Sequence, residues 1–214
     1  MTGRSPTRLV LASANPYKVE EIEPLLAATD VELVPITSLV EDWDVEETGE
    51  TLEENARLKA LAAVEATGMA AVADDTGLFV DALGGLPGVR SSRYAGPGCT
   101  YADNVRKLLD AMAGIEPASR GARFRSAVVL ACPDGSRQTF EGSLAGSIGE
   151  EPRGAGGFGY DPVFVLPDGA TLAELALSEK NRVSHRGAAF AAFAEWVATR
   201  GERGICPCDP GVRY

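Results

Sequence analysis

Arg8-Leu9-Val10-Leu11-Ala12-Ser13-Ala14-Asn15-Pro16-Tyr17-Lys18 decides the fold. Arg8 to Ser13 is an apolar run of strand character, and Asn15-Pro16 breaks it. Tyr17 to Ala28 then reads as a helix, and Val31 to Ile36 as a second strand. Strand, turn, helix and strand in that order open an α/β fold. The turn also has chemical content. Helix N-terminal N–H groups favour anions, and Ser13, Asn15 and Lys18 add side-chain donors. GxxxxGK[ST] is absent, so it is no P-loop, and a Ser/Asn turn that merely caps the helix accounts for the same residues.

Downstream of this opening, Glu41 to Glu54 holds eight acidic residues and no basic one. From Thr51 the pattern turns helical, with Leu52, Ala56, Lys59, Ala60 and Ala63 at helical spacing. Thr51 with Glu54 fits a capping box, and Gly68 ends the helix. Ala70 to Ala73 predicts a short buried strand ending at Asp74-Asp75-Thr76-Gly77, with Leu78 to Leu83 as a further strand. Leu86 to Gly98 is loop, and Thr100 to Ala113 a helix. Arg123 to Cys132 and Arg137 to Ile148 flank Pro133-Asp134-Gly135-Ser136, a hairpin signal. Gly154 to Asp161 is a glycine-rich loop, Val163 to Leu166 a strand, Leu172 to Leu177 helical, and Arg186 to Arg200 the last helix. The class is α/β with antiparallel hairpins.

The chain has 214 residues and a net charge of −11. That charge opposes a nonspecific nucleic-acid binder, which needs a basic surface. No apolar run approaches a bilayer span, so no membrane association is expected. Residues 1–8 are polar and do not resemble a signal peptide. Cys99, Cys132, Cys206 and Cys208 lack zinc-finger spacing, and one histidine cannot complete a Cys₂His₂ site. Cys206-Pro-Cys208 reads as part of an idle Gly/Pro-rich tail, and a reducing cytoplasm as the location.

Three further segments carry candidate chemistry. Adjacent carboxylates such as Asp74-Asp75 must be solvated, paired or metal-bound. Successive strand residues face opposite sides, which gives the two different parts. One can bind Mg²⁺ or activate water, with Glu46 or Glu47 as a further oxygen ligand; an Asx-turn with Thr76-Gly77 is the plainer alternative. Gly156 to Pro162 offers close backbone approach, flat surfaces from Phe158 and Tyr160, and an acceptor in Asp161. It also reads as a turn with its aromatics in the core. Ser178 to Arg186 gathers Lys180, Arg182 and Arg186 round the only histidine, His185. An anion site or a Ser-capped helix start with solvated charges both fit.

Together these segments resemble the inosine/xanthosine triphosphate pyrophosphatase family. The resemblance rests on Leu11 to Asn15 with Lys18, Glu47 to Thr51 with Glu54-Asn55-Ala56 and Lys59, and Ala73 to Leu78. Gly84-Gly85, Pro87-Gly88, Ser92-Arg93-Tyr94, the Gly156 to Asp161 loop, and Lys180 with Ser184-His185-Arg186 complete it, in order from residue 9 to about 197. It implies a two-lobed domain over residues 1–200, elongated, with a mixed sheet and its active site in the cleft between lobes; residues 201–214 read as a C-terminal tail without a counterpart in the family. It also implies Mg²⁺ dependence, a homodimer, and hydrolysis of ITP, dITP or XTP to the monophosphate and pyrophosphate.

By matching position, Ser13, Ala14, Asn15, Pro16, Tyr17 and Lys18 contact the triphosphate, with Lys59 a second cation. Asp75 is the proton acceptor and a Mg²⁺ ligand, and Glu47, or Glu46 beside it, the second carboxylate. Phe158, Gly159, Tyr160, Asp161, Lys180, His185 and Arg186 hold the base and sugar side, and Thr76 is a further substrate-binding residue. A Maf-type pyrophosphatase fits less well, because the Ser-His-Arg segment and the glycine-aromatic loop speak against it. A nucleotide sensor without turnover is disfavoured by the retained Asp74, Asp75, Glu47 and Lys18.

Overall fold

The computed structural model describes residues 6–200 and 204–206. Seven strands form a mixed sheet: β1 (Thr7–Leu11), β2 (Val31–Pro35), β3 (Ala71–Val80), β4 (Pro87–Gly88), β5 (Gly121–Ala131), β6 (Arg137–Ile148) and β7 (Phe164–Val165). Five α-helices accompany them among the described residues: α1 (Pro16–Leu26), α2 (Leu52–Thr67), α3 (Tyr101–Ala111), α4 (Leu177–Val183) and α5 (His185–Arg200). The strand order is β2-β1-β3-β5-β6-β7, with β4 paired to β3. β1 runs parallel to β2 and to β3, so α1 and α2 lie in crossover connections. β4 is antiparallel to β3, and β7 to β6. None of the described helices is long and apolar enough to cross a membrane.

The chain forms two compact units. One comprises residues 1–75, 127–141 and 189–214, the other residues 76–126 and 142–188. In the first, Leu9 and Leu11 of β1 pack with Ile22 and Leu26 of α1 and with Phe190 and Phe193 of α5. The intervening Val10 packs with Ala56, Ala60 and Ala63 of α2. Both faces of β1 are thus buried, which is why it reads as an unbroken apolar run. In the second unit, Leu78 and Val80 pack with Val105 and Leu108 of α3 and with Phe124, Ile148 and Phe164.

Local signals act as expected at two helix starts. Asn15 caps α1, and Thr51 and Glu54 form the capping box of α2. Other expectations are corrected. Asp74-Asp75-Thr76-Gly77 is no turn: β3 runs through it without a break. Gly77 permits this, because a Cβ there would sit 2.6 Å from the Gly88 carbonyl oxygen of β4. The helix expected from Leu172 is only a 3-10 turn, Leu172–Glu174. Seven residues before the last helix form α4, which composition did not announce. The tail is not idle where it is described: Ile205 and Cys206 are buried in the first unit's core, and Cys206 is disulfide-bonded to Cys132. Cys208 lies outside the described residues.

Candidate active site

In the first unit the polar chemistry collects on Asp74 and Asp75, both buried within β3. Neighbouring strand residues point to opposite faces, and each aspartate meets a different lysine. The Lys18 ammonium is 3.1 Å from Asp74 Oδ1 and donates to the Asp74 carbonyl at 3.1 Å. Lys18 stands in the first turn of α1, whose entry is fixed locally. Asn15 Oδ1 accepts the Tyr17 N–H at 3.1 Å, and Ser13 Oγ accepts the Asn15 N–H at 3.2 Å. Ala14, Pro16 and Tyr17 are exposed on this turn. The segment is therefore a helix cap, and it also delivers a lysine to Asp74.

Asp75 meets α2. Lys59 Nζ lies 2.8 Å from Asp75 Oδ1 and 2.8 Å from Glu47 Oε1. One turn earlier on the same face, Asn55 Nδ2 approaches Asp75 Oδ2 at 3.5 Å, while its Oδ1 accepts the Gly49 N–H at 2.8 Å. Asn55 thereby joins the strand to the acidic loop. Glu46, beside Glu47, is exposed, and its carbonyl accepts the Thr48 N–H. Of the two acidic candidates, only Glu47 is brought to Asp75 by way of Lys59.

Burial pushes the Asp75 carboxyl above its ordinary range, while Lys59 and Lys18 pull it back. For Lys59, burial lowers the ammonium's pKa, but Asp75, Glu47 and Asp74 together raise it above the ordinary lysine value. A buried carboxylate with a raised pKa is a better proton acceptor than a free aspartate.

The donor set suits a hard divalent cation. Magnesium takes one or two protein carboxylates and leaves its other positions to water and phosphate. Glu47 and Asp75 already converge on a single positive charge. Among the described residues no group of three or more His, Cys, Asp or Glu gathers, as a protein-only metal cage would need.

In the second unit, Thr76 begins a different cluster. Arg186 Nη2 donates to Thr76 Oγ1 at 3.2 Å, and Thr76 Oγ1 lies 3.2 Å from Ser126 Oγ. His185, buried at the start of α5, stacks on Phe124 with ring centroids 4.5 Å apart and planes 15° apart. The Phe158 ring is faced by Lys180 Nζ at 5.1 Å and by the Arg186 guanidinium at 5.5 Å, and Tyr101 approaches it at 5.7 Å. Asp161 accepts the Phe158 N–H at 2.7 Å and forms a buried ion pair with Lys180. Gly157 has φ +67°, and a Cβ there would overlap the Asp161 carboxylate, so the loop needs glycine.

The two aromatics of that loop part company. Phe158 is half-buried beside half-buried Gly159. Tyr160 belongs to the core, and its hydroxyl donates to the Ser91 carbonyl at 2.9 Å. Burial pushes the Tyr160 phenol pKa well up, so it remains a neutral donor.

The sequence match includes Asn55 but gives it no role, and Phe124 and Ser126 do not stand out in the sequence at all. A signal existed for Asn55: a polar residue on the apolar face of α2, between Leu52 and Ala56, needs a partner. Phe124 and Ser126 sit in an apolar strand, where nothing in the sequence separates them from core.

A mixed α/β sheet whose functional polar groups gather at adjoining residues of one buried strand defines the class: an α/β protein with a carboxylate–lysine centre in mid-strand. The chain belongs to the Ham1 family, whose pattern matches residues 9–196. It is 48% identical over 200 residues to a dITP/XTP pyrophosphatase of Symbiobacterium thermophilum, covering 94% of this chain and all of that one. It is 49% identical over 190 residues to another of that name from Methylococcus capsulatus, covering 87% of this chain and 94% of that one. Among solved structures it resembles a HAM1 protein of Coxiella burnetii, with 40% identity and TM-score 0.82, over 90% of this chain and 99% of that one. The Staphylococcus aureus Ham1 protein gives 36% identity and TM-score 0.80, over 91% and 100%.

Proposed function

We propose that the protein hydrolyses non-standard purine nucleoside triphosphates (ITP, dITP and XTP) to the nucleoside monophosphate and pyrophosphate. The observation that carries this reading is the Glu47–Lys59–Asp75 arrangement: a buried carboxylate with a raised pKa, set beside a second carboxylate and a cation. The names of the relatives at 48% and 49% identity supply the substrate class.

Water attacks the α-phosphorus; the bond from that phosphorus to the bridging oxygen breaks, and pyrophosphate leaves. Asp75 accepts the proton of the attacking water. Lys18 and Lys59 counter the charge that develops on the leaving group. Asn55 orients Asp75. Mg²⁺, held by Asp75 and Glu47, supplies charge neutralisation on the phosphate oxygens when bound.

On the base side, Arg186 and His185 donate to the 6-oxo group of hypoxanthine or xanthine. An adenine 6-amino group leaves those donors unpaired, which is the kind of mismatch that discriminates strongly. Phe124, stacked flat on His185, fixes the ring's plane. Phe158 offers its face to the base, and the Lys180–Asp161 pair holds the loop that carries it.

The test is pyrophosphate release across a panel of ITP, dITP, XTP, GTP and ATP, with and without Mg²⁺. Release from the 6-oxo non-standard nucleotides, dependent on Mg²⁺ and weak with ATP, is expected. His185→Ala should lower the ITP-to-ATP preference; an unchanged ratio removes His185 from base reading, and equal turnover of ATP and ITP by the parent protein overturns the substrate assignment.

A further inference from the structure

Lys59 is expected in the site as a cation for the triphosphate, but its ammonium lies instead between the two carboxylates proposed to hold the metal. It contacts Glu47 and Asp75 at the same distance, 2.8 Å, and is itself largely buried. A buried and a half-buried carboxylate brought to one point, as Asp75 and Glu47 are, repel unless a cation lies with them. Among Lys18, Lys59, Glu47, Asp74 and Asp75, two positive charges face three negative ones. Lys18 is engaged with Asp74 on the other face of β3. Lys18 also acts on Asp75 from a distance, but Lys59 is the lysine that lies against both Glu47 and Asp75.

From this geometry we infer that Lys59 is a placeholder cation that closes the Glu47–Asp75 pair to divalent metal until a nucleotide is bound. An ammonium and a divalent cation cannot share the same two oxygens at hydrogen-bonding distance without strong repulsion. Metal entry thus requires Lys59 to leave, and in the free protein that means giving up both the Glu47 and the Asp75 contact. A bound triphosphate changes both terms: its oxygens give the Lys59 ammonium a new partner, and its charge increases the attraction for the metal. The long lysine stem allows the head group to swing without moving α2. Metal and nucleotide then bind with positive coupling, each raising the affinity for the other. The free protein holds its carboxylates together and stays metal-poor.

This inference rests on the metal role proposed for Asp75 and Glu47, and the experiment separates the two. Mn²⁺ binding is followed by electron paramagnetic resonance on nucleotide-free parent protein, Lys59→Met, Lys59→Gln and Lys59→Arg. The parent is also measured with a non-hydrolysable α,β-methylene analogue of ITP, after subtraction of Mn²⁺ held by the analogue alone. Without nucleotide, Lys59→Met and Lys59→Gln should bind Mn²⁺ at least about tenfold more tightly than the parent, since a competing charge has gone. Lys59→Arg, which keeps a cation, should remain within about threefold of the parent. The analogue should increase Mn²⁺ affinity of the parent by at least about tenfold. If the parent gains Mn²⁺ with the analogue while the neutral variants bind no better than the parent without it, the placeholder role is overturned and the metal role stands. If no Mn²⁺ binds the parent even with the analogue, the metal role falls and this inference with it.

Discussion

Replacing Asp75 by asparagine tests the chemistry and the energetics of the site at once. The change keeps the shape of the side chain, and Asn55 Nδ2, 3.5 Å away, can still approach its oxygen. Lys59 keeps its 2.8 Å contact with Glu47. What disappears is the proton acceptor, and a positioned general base contributes about 10²- to 10⁴-fold, or roughly 3 to 5 kcal/mol of barrier. Stability should behave differently. Burial is the largest influence on Asp75 and raises its pKa, so the ionised form costs folding free energy at neutral pH. A neutral isostere removes that cost. Turnover of ITP should fall by at least about a hundredfold, while the melting temperature drops by no more than about 4 °C, the equivalent of roughly 1 kcal/mol at this size. Pyrophosphate release and thermal melting on one preparation read both. Turnover above a tenth of the parent's refutes the base assignment; lost turnover with a much lower melting temperature shows that the carboxylate was holding the fold.

Three further outcomes are expected. The acid limb of kcat/KM should reflect Asp75: activity needs the carboxylate, is lost as pH falls through its pKa, and should decline above the value of about 3.9 typical of a free aspartate; a limb at or below that value contradicts the raised pKa. Gly77→Ala should cost about 1–3 kcal/mol in urea unfolding, because the added methyl meets the Gly88 carbonyl oxygen at 2.6 Å; a parent-like midpoint would show that β4 gives way freely. Cys206→Ser, or added reductant, should lower stability by about 4 kcal/mol, the chain-entropy effect of opening a cross-link between residues 74 apart; superimposable unfolding curves with and without reductant would disprove that contribution.

Local chemistry made the first elements readable. Leu9 to Leu11 is apolar at every position because both faces of β1 are covered, and Asn15 and Thr51 mark helix starts through bonds made within three residues. Asp74-Asp75-Thr76-Gly77 misled because its composition is that of a turn. Its extended form depends on partners far off in sequence: Lys18, Lys59 and the close-packed Gly88. The candidate residues were legible by type and order, but not their engagements. Nothing local tells that Lys180 is spent on Asp161, that Tyr160 turns into the core while Phe158 does not, or that His185 lies against Phe124. The Cys132–Cys206 pair spans the end of a strand and a segment that reads as tail, a pairing set only by tertiary packing.

The unbroken passage of β3 through its two aspartates has a consequence for how the chain tolerates change. In a strand, side is decided by parity. Deleting one residue between Ala71 and Ala73, with the start of the strand held, would present Asp75 to Lys18 and Thr76 to Lys59, and would leave Asp74 on the Lys59 face but a full pleat repeat short of it. A two-residue shift would restore the faces yet move both carboxylates by a full pleat repeat, about 6.5 Å along the strand. The catalytic address is thus written as a count from the start of the strand, and sequence drift around it is confined to substitutions.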